Sequence, residues 1–336
     1  MDTAQIRVEY FYDPESNNWG FEVPSLGIIG GAETRETAEQ QAVEAIAFAL
    51  ESEMEATDSS SQRVLVLGHG SRRSRTTATD TGIREIACRL QARFPGGPVI
   101  RPAFFDFLSP SLAEAVRQAA HEGVTEIAVL PYFLFAGKEI QLEIPQELER
   151  LGAELPQVTI RQLPHLGVDA RLATLVAQRV REALQGTSQY LPAHGLVRRN
   201  AAGRLGVLLV SRGSRPQWDP GTDLARLGEL ARRELGGDTL MAVAQAENSE
   251  RTIELAAAEL AALGARRIVV VPYLHFIGKV LIHNIIPALE RSRQAHAGIV
   301  FALAWTLCVN DAAIDLLEDR VRATGFAGAP RLAAAR

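Results

Sequence analysis

The chain has 336 residues, 47% of them apolar and 22% charged, with a net charge of −5; that is enough for two or three domains with real hydrophobic cores. Mean hydropathy is near zero and no run of 18 apolar residues occurs, which excludes an ordinary helical membrane span. Two cysteines, Cys88 and Cys308, exclude a disulfide scaffold, and the opening MDTAQIRVEYFYD lacks the basic-then-apolar order of a signal peptide, so the cytoplasm is the expected location.

Charge is unevenly spread. Residues 1–60 carry 13 acidic and 2 basic side chains, a net −11, whereas the other 276 residues carry 27 and 33, a net +6. The first segment therefore differs in kind from the rest and is suited to dock on a basic partner or on the basic body of its own chain. Residues 5–12 (IRVEYFYD) alternate as a strand, 13–18 read as a turn, and 19–23 and 26–31 read as two further short strands. Thr34 then caps a helix over 38–54, with Ala42, Ile46, Ala49 and Leu50 on one stripe. This β-β-β-α unit, residues 1–55, has little core of its own, so a second chain or the main body is expected to cover it and a homodimer through it is one option. Residues 56–62 (ATDSSSQ) are a linker.

Residues 63–185 alternate strand and helix. Strands are expected at 64–67, 99–104, 126–131 and 158–162, and helices at about 77–94, 110–122, 143–151 and 169–185. Continuous apolar strands between amphipathic helices imply a parallel sheet covered on both faces. Residues 186–204 form a second linker. Residues 205–325 then repeat the plan: VLVLGHGSR at 64–72 matches VLLVSRGSR at 207–215, and EGVTEIAVLPYFLFAG at 122–137 matches LGARRIVVVPYLHFIG at 263–278. Two matches in the same order mark a tandem duplication. The fold class is thus α/β, two parallel-sheet halves expected to face each other across a cleft, preceded by the small β-β-β-α domain; 326–336 is a flexible tail.

His69 is the first candidate for chemistry. It leaves a parallel strand at the end where α/β proteins bind ligands, and flanking glycines allow close backbone approach. A neutral imidazole there can ligate a metal or take a proton near pH 7; the competing reading is a turn histidine bonded to backbone. Its duplicate is Arg212, so a histidine-dependent step belongs to the first half. Glu139 and Glu143, four apart, share a face if that stretch is helical and can ligate a metal or accept a proton; alternatively they are solvated acids at a helix start. Lys138 and Lys279, the only two lysines, follow the shared glycine of each half. With Arg72 and Arg215 they could clamp the carboxylates of an acidic ligand. His283 lies three positions past the equivalent of Glu139 and can point at the same cleft. His275 and His165 read as core and turn residues, and Phe104, Phe105 and Phe107 could line an apolar pocket or belong to the core. No dinucleotide, Walker A, nucleophile-elbow or zinc-type spacing is present. No membrane partner is expected, and without a long basic helix or finger nucleic acid is not expected either.

Residues 63–320 resemble the class II chelatases, which insert cobalt, iron or nickel into sirohydrochlorin and related tetrapyrroles. The resemblance rests on GHGSR at 68–72, AFFDFLSPSL at 103–112, LPYFLFAG at 130–137 and PHLG at 164–167, and the duplication is similar to the long form of that family. It implies a divalent metal as substrate, a carboxylated tetrapyrrole as partner, no nucleotide or redox cofactor, and metal handling by His69. The family's second histidine falls on Glu139, a departure that leaves a His/Glu pair similar to that of protoporphyrin ferrochelatases. A non-catalytic metal or tetrapyrrole carrier, or a chelatase-like enzyme acting on another small molecule, are the alternatives. Residues 1–55 resemble the HicB-like antitoxin domain through YDPESNNWGFEVPSLG and GAETRETAEQQAVEAI.

Overall fold

Runs such as Val64–Leu67 and Ile127–Leu130 have no polar face, and all eight residues are buried, as strands covered on both sides must be. In the computed structural model, which describes residues 8–13, 18–23, 28–55, 61–70, 78–186, 203–213, 221–247 and 249–326, they form the middle of a four-stranded parallel sheet. Its strands are β4 (Gln62–Gly68), β5 (Val99–Phe104), β6 (Glu126–Pro131) and β7 (Thr159–Gln162), in the order β5-β4-β6-β7. The second sheet uses β8 (Arg204–Ser211), β9 (Leu240–Gln245), β10 (Ala265–Pro272) and β11 (Val300–Leu303), in the order β11-β10-β8-β9. Numbered within each half, both read 2-1-3-4. The registers agree as well: Gly68 pairs with Phe104 and, in the copy, Ser211 with Gln245. The duplication read from two motifs therefore extends through the whole sheet.

The first half's helices are α2 (Ala78–Gln91), α3 (Leu112–His121), α4 (Ile144–Glu154) and α5 (Ala170–Leu184); the second half's are α6 (Gly221–Leu235), α7 (Ile253–Ala262), α8 (Ile286–Ala295) and α9 (Asp311–Arg322). Local chemistry sets their starts. Ser111 caps α3 in a reciprocal box with Glu114, and Thr252 accepts from Leu255 N–H at the matching end of α7. One feature was not foreseeable from periodicity. Glu139–Glu143 and Val280–Ile285, at equivalent places, are π-helical turns that run into α4 and α8; such turns are rare and tend to sit at functional positions.

The described residues divide into two compact units that do not follow the halves. One gathers Met1–Tyr132, Ile144–Pro164 and Ile314–Arg336; the other gathers Phe133–Glu143 and His165–Ala313. In the first unit most of α9 packs on the first half. Arg93 pairs with Glu318 (3.2 Å) and Asp315 (3.5 Å), Arg322 lies over the Phe94 ring, and Arg161 donates to Thr324 O and covers Phe326. In the second unit α5 packs on the second half, with Arg179 donating to Leu307 O (3.0 Å) and Arg181 to Glu234 O (2.9 Å). Each half thus gives its last helix to the unit built on the other half's sheet.

The N-terminal segment is an antiparallel sheet of β1 (Glu9–Asp13), β2 (Asn18–Val23) and β3 (Ile28–Ala32) with α1 (Arg35–Glu55) across one face. Thr34 caps the helix, accepting from Thr37 N–H. Phe21 lies over Gly30, where a Cβ would meet its ring at 2.4 Å, and packs with Val23, Ala38, Ala42 and Ile46. Cys88 of α2 completes this cluster, so the chain's own first half covers the small domain. No helix among the described residues is long and apolar enough to cross a membrane.

Arg179 is 9% exposed and also pairs with Glu182. Arg179→Met is expected to leave the Leu307 carbonyl with only the longer bond from Asn310 Nδ2 (3.3 Å) and the Glu182 carboxylate without its partner, and to cost about 1–3 kcal/mol, read as a lowered urea midpoint, while the exposed Arg150→Ala leaves the midpoint nearly unchanged. Equal effects would contradict the burial argument.

Candidate functional site

Three successive carbonyls at the end of β4 are all taken. Leu67 O accepts from Tyr132 N–H, Gly68 O from Phe105 N–H and His69 O from Asp106 N–H, each at 2.8 Å. The residues leaving β5 are thereby held against the turn that carries His69. Two glycines make this close approach possible. A Cβ at Gly68 would meet Ile83 of α2 at 2.5 Å, and one at Gly70 would lie 1.7 Å from Asp106 O. Gly70 also has φ +91°, a region open to glycine. The imidazole of His69, half-buried, and the carboxylate of Asp106 therefore rise from backbone neighbours at the carboxyl end of the sheet, where ligands of open α/β folds bind.

The second half repeats the frame with other side chains. Ala246 N–H donates to Ser211 O (3.0 Å), Glu247 N–H to Arg212 O (2.8 Å), and a Cβ on Gly213 (φ +94°) would lie 2.1 Å from Glu247 O. Here Arg212 Nε sits 3.4 Å from Glu247 Oε2. An acid follows the second strand in both halves, Asp106 and Glu247; that recurrence was available in the sequence and marks Asp106, which a reading of its neighbours as an aromatic cluster passes over. Phe104 is fully buried beside Arg84, whereas Phe107 is 50% exposed at φ 64°, a strained setting for a side chain of that size. Of the three phenylalanines, Phe104 is core.

The segment after β6 belongs to the second compact unit, where Phe135 packs on Tyr273 with ring centres 5.3 Å apart. Lys138 Nζ lies 2.5 Å from Glu143 Oε1, so two expected ligand-handling groups neutralise each other. Glu139, half-buried, turns back toward Gly137, its Oε2 3.0 Å from where a Cβ there would be. Gln141 ties the turn by donating to Ala136 O. Lys279 is exposed and precedes the second π-helical turn, and His283 is exposed within it. His275 and His165 are half-buried; His275 O accepts from Cys308 N–H, where Cys308 (φ 53°) stands in the place of Gly167 (φ 65°). Arg72 and Arg215 lie outside the described residues. Among the described residues no three His, Cys, Asp or Glu side chains are grouped to hold a metal ion.

The CbiX family profile matches residues 63–183 and again 206–324, the two halves and most of the chain. The chain belongs to the CbiX family. As a member it is similar to the sirohydrochlorin cobaltochelatase of Methanosarcina barkeri, 32% identical over 128 residues that span 36% of this chain and 95% of that protein. It is also similar to the sirohydrochlorin ferrochelatase of Priestia megaterium, 26% identical over 233 residues, 67% of this chain and 77% of that one. In structure it resembles SirB from Bacillus subtilis, solved with Fe3+, with a TM-score of 0.61, 20% identity, and coverage of 78% of this chain and 95% of SirB; at that identity the likeness shows the shared fold. This CbiX-family chain thus carries the two-half architecture, and the family match leaves residues 1–62 outside it.

The turn's two constraints predict unequal glycine costs. Gly123 has φ +84° but open space around its Cβ position, so Gly123→Ala should cost about 1–2 kcal/mol. Gly70→Ala adds a clash with Asp106 O and should cost clearly more. Chemical denaturation of both variants checks this; equal losses would mean that the turn relaxes freely.

Proposed function

We propose that this chain inserts a divalent metal ion, cobalt, iron or nickel, into sirohydrochlorin or a related carboxylated tetrapyrrole. The observation that carries the reading is the turn after β4, in which the backbone of Asp106 is bonded to that of His69 at the ligand end of a CbiX-family sheet. The named relatives are cobalt and iron chelatases of sirohydrochlorin, which makes that macrocycle the first to test.

Insertion replaces two pyrrole N–H protons by one divalent ion. No electrons move, so neither a redox cofactor nor a nucleotide is required by the balance. A base that titrates near neutrality suits the proton step. The His69 imidazole serves as proton acceptor and metal-holding group, and Asp106, whose backbone is bonded to that of His69, carries the carboxylate. A nitrogen and an oxygen donor, with no third ligand grouped among the described residues, hold the ion loosely, which suits an ion that must leave for the macrocycle. Glu139, at the position of the family's second histidine, is an oxygen donor or proton acceptor by that resemblance. Lys138, Lys279, Arg72 and Arg215 answer the ligand's carboxylates, and Glu143 keeps Lys138 oriented until a ligand carboxylate competes for it.

The test is anaerobic absorbance on mixing the full chain with sirohydrochlorin and Co2+, Fe2+ or Ni2+ in turn. Insertion faster than the protein-free control is expected, with His69→Ala lowering the rate on the order of 10²–10⁴-fold. A saturable spectral shift without acceleration would instead support a carrier, a role that Glu139 in place of a histidine favours. A rate unchanged by His69→Ala would remove the mechanism.

A further inference from the structure

The two halves share a backbone frame but diverge sharply at one place. In the second half a cavity of about 290 Å³ opens at the carboxyl end of β9, between the start of α7 and the π-helical turn Val280–Ile285, with Glu247, Glu254, His283 and Asn284 in its wall. The matching positions in the first half, 141 residues earlier, are Asp106, Ala113, Leu142 and Glu143, and Phe105 stands where the second half has Ala246. The copy has therefore lost a phenyl ring, a leucine and the Glu143 carboxylate, and has gained an imidazole, an amide and a carboxylate at Glu254. Only the acid after the second strand is kept.

The groups in this wall are not equally available. Glu254 is engaged by Arg291, whose Nε and Nη2 both reach Oε1 at 2.9 and 2.7 Å. Glu247 is held by the single 3.4 Å contact to Arg212, a side chain 61% exposed; an exposed pair of that kind is weak. His283 is exposed and makes no hydrogen bond or ion pair with the described residues. An available imidazole and a loosely held carboxylate thus line one small cavity. The first half has its histidine in the turn after β4, with its backbone bonded to that of this acid. The second half has Arg212 in that turn and brings an imidazole instead from the π-helical turn.

We propose that His283 and Glu247 form a second site, for a divalent transition-metal ion, separate from His69 and independent of the insertion reading. An imidazole with a carboxylate selects ions of the Co2+, Ni2+ and Zn2+ class over Mg2+ and Ca2+, which prefer oxygen alone. With two protein side chains and, among the described residues, no third donor grouped with them, water completes the coordination and the ion exchanges readily. Arg212 competes with the metal for Glu247, so its charge sets the affinity.

Equilibrium dialysis of the full chain against Co2+, with the d–d absorption followed in parallel, tests this. The wild type should bind two ions. His283→Ala and His283→Gln, both at an exposed position and checked for folding by circular dichroism, should each lose one ion and keep the one that His69→Ala removes. Arg212→Gln should tighten the His283-dependent event about tenfold, and excess Mg2+ should not displace it. Full stoichiometry in both His283 variants would overturn the site, and so would a His283-dependent event that Arg212→Gln leaves unchanged or that Mg2+ displaces. If His69→Ala loses no ion while the His283 variants do, the insertion mechanism fails and this site stands.

Discussion

Backbone pairing between the exits of two neighbouring strands is the constraint on which the site depends. Phe105 and Asp106 do not simply lead away from β5; their N–H groups are spent on Gly68 and His69 carbonyls. Once those bonds are made, no side chain fits at position 70, and the backbone of the residue before it is fixed. A chemical group held this way has little freedom to lose on meeting a ligand, which is what a preorganised site needs. The apolar strands buried on both faces supply the rigidity, and the turn converts it into the placement of one imidazole and one carboxylate.

The duplication separates what the frame requires from what the chemistry requires. Gly70 and Gly213, the paired carbonyls, the capped helices α3 and α7 and both π-helical turns recur. These are demands of the backbone, and both halves meet them. His69 and Arg212, Phe105 and Ala246, Leu142 and His283 do not recur. The second half has therefore kept its architecture while its side chains changed, and the exchange of α5 and α9 between the compact units ties the persistence of each sheet to a helix from the other half.

Much of this was legible in the sequence because it is written in strong local signals. The strands β5 and β6 fall at the positions their apolar runs predict, and His69 stands out through its glycine frame. Other features depend on information that periodicity does not hold. An amphipathic stripe on α9 says that one face is buried but not against which sheet, so the helix exchange is invisible. The spacing of Glu139 and Glu143 fits an α-helix and a π-helical turn alike. Asp106 reads as one acid among phenylalanines until its backbone is seen against His69, although the acid at Glu247 in the copy gave a hint.

The central claim is that His69 holds the metal at the end of β4. It is tested most directly by cobalt K-edge X-ray absorption on the full chain carrying His283→Ala, loaded with one equivalent of Co2+, against the same protein with His69→Ala added. The account predicts imidazole scattering in the first sample and its loss in the second. An imidazole signal of equal strength in both, or in neither, would contradict it.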